Sequence, residues 1–174
     1  TPRIGLLNEE SEKNWWRAIV RQVLDGLGKP SDFETLFDDL WFTFAEPRRW
    51  RLYDGIPEIF ISLKKRGFRL AILSNWDKRL RRILEGLDLV RFFELIIISS
   101  EVGFEKPDPR LFQLVQNRLG LPPHEILHVG DSPHHDAEGA CKAGWHWLMI
   151  DHQSDSTQSD HRILSLHDLP GLLP

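Results

Sequence analysis

The sequence predicts an α/β fold, in which a parallel sheet covered by helices on both faces follows a small all-helical unit. Three observations support this prediction. From residue 53 onwards, short and almost continuously apolar segments alternate with helical segments, as expected for parallel strands buried on both faces. Residues 1–52 show helical periodicity and no strand pattern. The single cysteine, Cys141, excludes a disulfide framework, so an apolar core has to hold the 174 residues together.

Residues 1–52 are predicted to form two helices. Between Asn8 and Gly28, apolar residues recur at helical spacing, and the glycine marks the end of the first helix. Ser31 and Glu34 have the spacing of a capping box at the start of a second helix, whose apolar face is unusually aromatic. We therefore expect this part of the chain to be a separate helical domain.

Residues 53–174 are predicted to form the α/β domain. The predicted strands are 68–74, 94–100, 126–130 and 145–150. The predicted helices between them start at Pro57, near Leu80, at Asp108-Pro109 and at residue 133. The polar run at residues 153–160 is expected to be a surface loop before a short terminal helix near Asp168.

Composition excludes several classes of partner. The 22 basic and 26 acidic side chains give a formal charge of -4, which provides no field suited to nucleic acid or an anionic membrane. No apolar run approaches the roughly 18 residues of a membrane span. The lone cysteine favours a reducing compartment. We therefore expect a cytoplasmic protein whose partner is a small solute.

Polar residues follow three of the predicted strands. Ser74 and Asn75 end the first, Lys106 lies in a proline-rich loop after the second, and Asp131 follows the third, with Asp136 five residues further on. Ligands of open parallel sheets bind beyond the carboxyl ends of the strands. A hydroxyl, an ammonium group and carboxylates at that edge are the groups that phosphoryl transfer with magnesium requires. Taken singly, each also has an ordinary explanation as a turn, a solvated lysine or a helix-capping acid.

The order and spacing of these residues resemble those of the second, third and fourth motifs of the haloacid dehalogenase-like hydrolase superfamily. The resemblance covers essentially the whole chain, with a helical cap before a Rossmann-like core. It implies that Ser74 hydrogen-bonds the transferred phosphoryl group, that Asn75 lines the site, and that Lys106 pairs with that group and the nucleophile. It also implies that Asp131 binds Mg²⁺ and that Asp136 supports it or is itself a ligand.

The first motif of that superfamily, Asp-x-Asp at the end of a central N-terminal strand, is absent, since no two aspartates stand two positions apart. Its leading aspartate is the nucleophile. The resemblance implies that the missing strand belongs between those ending at Ser74 and Gly130, where each backbone group left buried and unpaired costs about 1–3 kcal/mol. We therefore expect these strands not to pair directly, and the chain to be an inactive part of a longer protein.

The resulting expectation is a magnesium-dependent phosphatase that acts on a small phosphorylated metabolite through an aspartyl-phosphate in the full-length protein. One alternative is a metal-independent 2-haloacid dehalogenase, which is disfavoured because those enzymes tend to carry Ser or Asn at the position of Asp131. Another is a non-catalytic binding or regulatory protein. Trp76, directly after Asn75, is expected to help wall a substrate crevice beneath the cap.

Two further clusters have ordinary explanations. His134 and His135 cannot both face one ion from a regular helix, so we expect surface imidazoles. The basic side chains that begin the helix near Leu80 are interpreted as a solvated helix side: Lys78, Arg79, Arg81 and Arg82.

Overall fold

The computed structural model of the protein describes residues 9–25, 31–151 and 161–174. The helices in these ranges are α1 (Glu9–Asp25), α2 (Phe33–Thr43), α3 (Ile56–Lys65), α4 (Arg79–Gly86), α5 (Ser99–Val102), α6 (Pro109–Leu119), α7 (Gly139–Lys142) and α8 (Leu169–Leu172). The strands are β1 (Ala71–Ser74), β2 (Leu95–Ile98), β3 (Leu127–Gly130), β4 (His146–Ile150) and β5 (Arg162–Ile163). The mixture of helices and parallel strands confirms the predicted fold class. None of the helices in the described ranges has the length and apolarity needed to cross a bilayer.

The start of α2 differs from the predicted capping box. Asp32 is the N-cap, and its carboxylate accepts a hydrogen bond from the Thr35 N–H at 3.1 Å, so the assignment to Ser31 and Glu34 was wrong. Three aromatic rings pack in succession along the helix at i, i+4 spacing: Phe33, Phe37 and Trp41. The helix therefore starts at Phe33, directly after the aspartate that caps it. The predicted stop of α1 at Gly28 lies outside the described residues.

The strands form two separate parallel sheets, β1–β2 and β3–β4–β5. As expected, β1 and β3 are not hydrogen-bonded to each other. Both strands are shorter than predicted, and β5 was not predicted, because its two residues carry no periodic pattern. The predicted strand 94–100 ends at Ile98, since Ser99 begins the short helix α5.

Two hydrophobic clusters hold the two sheets together. The first joins α3 and α8 to Val129 of β3, Leu148 of β4 and Leu70, which precedes β1. The second joins α6 and α7 to Leu73 of β1 and Trp147 of β4. The second cluster therefore contains side chains from both sheets, and the first joins the β3–β4–β5 sheet to the residue directly before β1.

Arg79 joins the helical unit to the α/β domain. Its guanidinium lies 3.4 Å from the centroid of the Trp41 ring and donates to the Trp41 carbonyl at 2.9 Å. The same group donates to both carboxylate oxygens of Asp77, at 2.8 and 2.7 Å, and the Asp77 side chain is only 1% exposed. The solvated-face interpretation was therefore wrong for this arginine. The domain boundary at residue 52 stays a prediction.

Candidate functional site

Three buried polar side chains meet near the carboxyl ends of β1 and β3. The Lys106 ammonium donates to Asp136 Oδ1 at 2.6 Å and to the Leu73 carbonyl, in β1, at 3.1 Å. His128 Nε2, from β3, lies 2.7 Å from the same Asp136 oxygen. All three side chains are buried. Lys106 therefore connects the end of β1 to the segment that follows β3.

The Asp136 carboxylate is held at both oxygens. Its Oδ2 accepts from the Ser132 N–H at 2.9 Å, while Oδ1 has the lysine and the histidine. Burial raises the pKa of Asp136, but hydrogen bonds from His128 and Lys106 outweigh it and hold that pKa well below its usual range. The carboxylate is therefore ionised and forms an ion pair with the Lys106 ammonium.

Gly130 makes room for this carboxylate. A Cβ added to Gly130 would lie 2.2 Å from Asp136 Cγ, closer than two such atoms can approach. The segment after β3 is a π-helical turn, Pro133–Glu138, in which the Ala137 N–H reaches back to the Ser132 carbonyl at 3.3 Å. The predicted helix from residue 133 therefore begins as a wider, π-helical turn, with the buried Asp136 in it, and becomes α-helical at Gly139.

Asn75 holds the backbone of Lys106. Its Oδ1 accepts from the Lys106 N–H at 2.7 Å, and its Nδ2 donates to the Lys106 carbonyl at 2.9 Å. The following peptide bond, Lys106–Pro107, is cis. Both ends of the amide are thus engaged with the lysine segment. Asn75 therefore lies beside the site and holds the Lys106 backbone in place.

The other predicted site residues lie at the same two strand ends. Ser74 is the last residue of β1, and Asp131 is exposed directly after β3. Neither side chain hydrogen-bonds another residue within the described ranges. The Trp76 N–H donates to Ser99 Oγ at 3.1 Å, and its ring packs edge-on against Trp50 with centroids 5.3 Å apart. The Ser74 hydroxyl and the Asp131 carboxylate are therefore available to a ligand.

The donor set fits one part of a hard-cation site. Asp131 offers a carboxylate, the type of ligand that Mg²⁺ prefers. Both oxygens of Asp136 already accept hydrogen bonds. The part of the chain that the structure describes contains no group of three or more His, Cys, Asp or Glu residues able to hold a metal. His134 and His135 are exposed, and His134 Nδ1 lies 2.6 Å from Glu138 Oε2. Asp131 could therefore bind Mg²⁺, whereas Asp136 pairs with Lys106.

His128 was missed by the sequence reasoning. It lies in an apolar strand. The strand pattern by itself does not distinguish a histidine that hydrogen-bonds a polar group from one whose ring only packs against apolar side chains. The available signal was its position two residues before Gly130, inside a segment predicted to be buried on both faces. A buried imidazole requires a hydrogen-bond partner, and Asp136 provides it.

Comparisons with known proteins agree with this architecture. The family model described as haloacid dehalogenase-like hydrolase matches residues 7–144. The human haloacid dehalogenase-like hydrolase domain-containing protein 3 is 33% identical over 181 residues, covering 98% of this chain and 72% of that protein. A phosphoserine phosphatase of Thermus thermophilus is 40% identical over 109 residues, covering 62% of this chain and 44% of that protein.

Solved structures show the same likeness. The HAD phosphatase from Thermococcus onnurineus superimposes with a TM-score of 0.71 and 29% identity, over 80% of this chain and 68% of that one. A dehalogenase superimposes with a TM-score of 0.77 and 26% identity, over 94% and 71% of the two chains. With a family model that matches most of its length, this chain belongs to the haloacid dehalogenase-like hydrolases.

Proposed function

We propose that the protein is a magnesium-dependent phosphatase that acts on small phosphomonoesters. The observation that supports this most directly is the buried Lys106 ammonium, which Asp136 and the Leu73 carbonyl hold near the ends of β1 and β3, where Ser74 and Asp131 also lie. Relatives named phosphoserine phosphatase and glyceraldehyde 3-phosphate phosphatase also favour this reaction.

Lys106 and Ser74 act on the phosphoryl group. An ammonium has three N–H donors, and two of those of Lys106 have acceptors in Leu73 and Asp136. The third is left for an anionic oxygen, and the Ser74 hydroxyl donates to another. Preorganised donors of this kind stabilise the charge that develops in the transition state. Mg²⁺, when bound at Asp131, supplies further neutralisation of that charge.

The nucleophile is proposed to come from a further strand of the full-length protein. The Asp-x-Asp motif that the family resemblance implies is absent from these residues. Two features support a place for its strand between β1 and β3. The two strands are not hydrogen-bonded to each other, yet each of two hydrophobic clusters contains a residue of one strand and a residue directly before the other. The first aspartate would attack phosphorus and form an aspartyl-phosphate while the P–O ester bond breaks, and the second would protonate the leaving oxygen so that the alcohol departs. The second aspartate would then take a proton from a water that attacks the aspartyl-phosphate, which releases phosphate and restores the first carboxylate.

The test is hydrolysis of para-nitrophenyl phosphate by the full-length protein and by the 174-residue chain, with and without Mg²⁺. We expect turnover by the full-length protein with Mg²⁺ and none by the 174 residues, since loss of a nucleophile lowers turnover by orders of magnitude. D131N should lose activity or Mg²⁺ affinity by at least about tenfold. The matched control is D88N, an exposed aspartate in the turn after α4 that pairs with Arg91.

Three outcomes would contradict the proposal. Turnover by the 174 residues would remove the need for a further strand. Release of halide from 2-chloropropionate without metal would favour a dehalogenase, the activity named for one of the structural neighbours. Absence of both activities from the full-length protein would favour a binding or regulatory role.

A further inference from the structure

We propose that His128 is a positioning residue that fixes Lys106 through Asp136. The imidazole and the ammonium share one carboxylate oxygen, Asp136 Oδ1, at 2.7 and 2.6 Å. A carboxylate only accepts hydrogen bonds, so His128 Nε2 carries the proton and donates it. The catalytic consequence of this arrangement rests on the proposed function, whereas the geometric claim does not.

The surroundings of His128 argue against a purely space-filling role. The ring packs edge-on against Phe112 and Trp145, with centroids 6.0 and 6.4 Å away. An apolar side chain would fill such a pocket without the cost of burying a polar group. The imidazole instead directs a donor at the carboxylate that pairs with Lys106.

His128 is the most rigid of the side-chain donors to Asp136. Lysine has a flexible four-carbon stem, whereas histidine has two side-chain torsions and here starts from a paired strand, with His128 in register with Trp147. The triad connects a strand, a turn and a loop: His128 lies on β3, Asp136 on the π-helical turn, and Lys106 after α5. Loss of the histidine donor would therefore let the carboxylate and the ammonium move together, away from the position set by the Leu73 carbonyl.

The experiment compares side chains of different reach. In H128Q the amide nitrogen can occupy about the position of Nε2. In H128N the side chain is too short for its amide nitrogen to reach that position. H128F keeps an aromatic ring but has no donor. The control is H146F on the neighbouring strand β4, where the histidine is exposed. The measurements are kcat and KM of the full-length protein with para-nitrophenyl phosphate, and crystal structures of the variants.

We expect H128N and H128F to lower kcat about 10- to 100-fold with a much smaller change in KM, because removal of a group that orients a catalytic residue typically costs this much. H128Q should stay close to the unsubstituted protein, and H146F should equal it. If H128F does not fold, the comparison of H128N with H128Q decides. Equal kcat values for H128N and H128Q would overturn the proposal.

Crystal structures separate failure of this proposal from failure of the proposed function. In H128N and H128F we expect Asp136 and Lys106 to shift as a pair, so that Lys106 Nζ leaves its contact with the Leu73 carbonyl, and in H128Q we expect that contact to remain. These positions can be compared even if the unsubstituted protein hydrolyses no phosphomonoester, in which case the proposed function alone is wrong. An unchanged contact in both H128N and H128F would show that His128 does not position the pair.

Discussion

Replacement of Asp136 by asparagine should strongly destabilise the protein. Asparagine keeps the size of the side chain but removes its charge and one of its two acceptors. The carboxylate receives Lys106 and His128 on one oxygen and the Ser132 N–H on the other. Whichever way the amide is turned, its NH₂ group therefore faces a hydrogen-bond donor.

The expected loss is about 3–5 kcal/mol in the free energy of unfolding, the range found when one partner of a buried ion pair is removed. The Lys106 side chain is only 10% exposed, so water cannot replace the carboxylate well. A typical domain is stable by about 5–15 kcal/mol, so D136N should unfold at a much lower urea concentration.

The effect should depend on pH in one direction. The pKa of Asp136 lies well below its usual range in the folded protein, and in the unfolded chain it returns to about 4. The contribution of the carboxylate is therefore complete above about pH 4 and is lost as the pH falls below that value towards the folded-state pKa. The difference between the unsubstituted protein and D136N should be constant from about pH 7 to 5 and should shrink in more acidic solution.

The assay is urea unfolding, with E138Q as the matched control. Glu138 lies two residues further along the chain and also pairs with a lysine, Lys142, but it is exposed and screened by water. E138Q should therefore change stability far less than D136N. Equal losses for the two variants, or a D136N effect that does not shrink in acid, would refute the reasoning.

Two further substitutions test single contacts. R79M should cost about 3–5 kcal/mol, because it removes the guanidinium that pairs with the buried Asp77 carboxylate and that also contacts Trp41 of α2. It should also speed proteolysis of the helical unit. Thermal denaturation and limited proteolysis measure these effects, and an equal effect of R82M, at an exposed site, would contradict the reasoning. G130A should cost about 1–3 kcal/mol because its Cβ would displace Asp136. Urea unfolding measures this second loss, and G171A, where an added Cβ meets no atom within 4 Å, should show none.

The order and type of the main elements could be read from the sequence, because helical and strand periodicity are local properties of the chain. The N-cap of α6 illustrates this: Asp108 precedes a proline, and its carboxylate accepts from the Arg110 N–H two residues later. Such a bond depends only on neighbouring residues. The same locality explains why Ser74 and Asp131 could be assigned to strand ends before any packing was known.

The role of each site residue was decided by tertiary structure. Asn75 and Lys106 are 31 residues apart in sequence, and Lys106 and Asp136 are 30 apart, so their contacts require the sheets and helices to be packed. Periodicity likewise predicted a buried strand around His128 but could not show which donor or acceptor its imidazole meets. Sequence alone therefore determined which residues reach the carboxyl edge of the sheet, whereas packing determined which of them pair with each other and which stay free for a ligand.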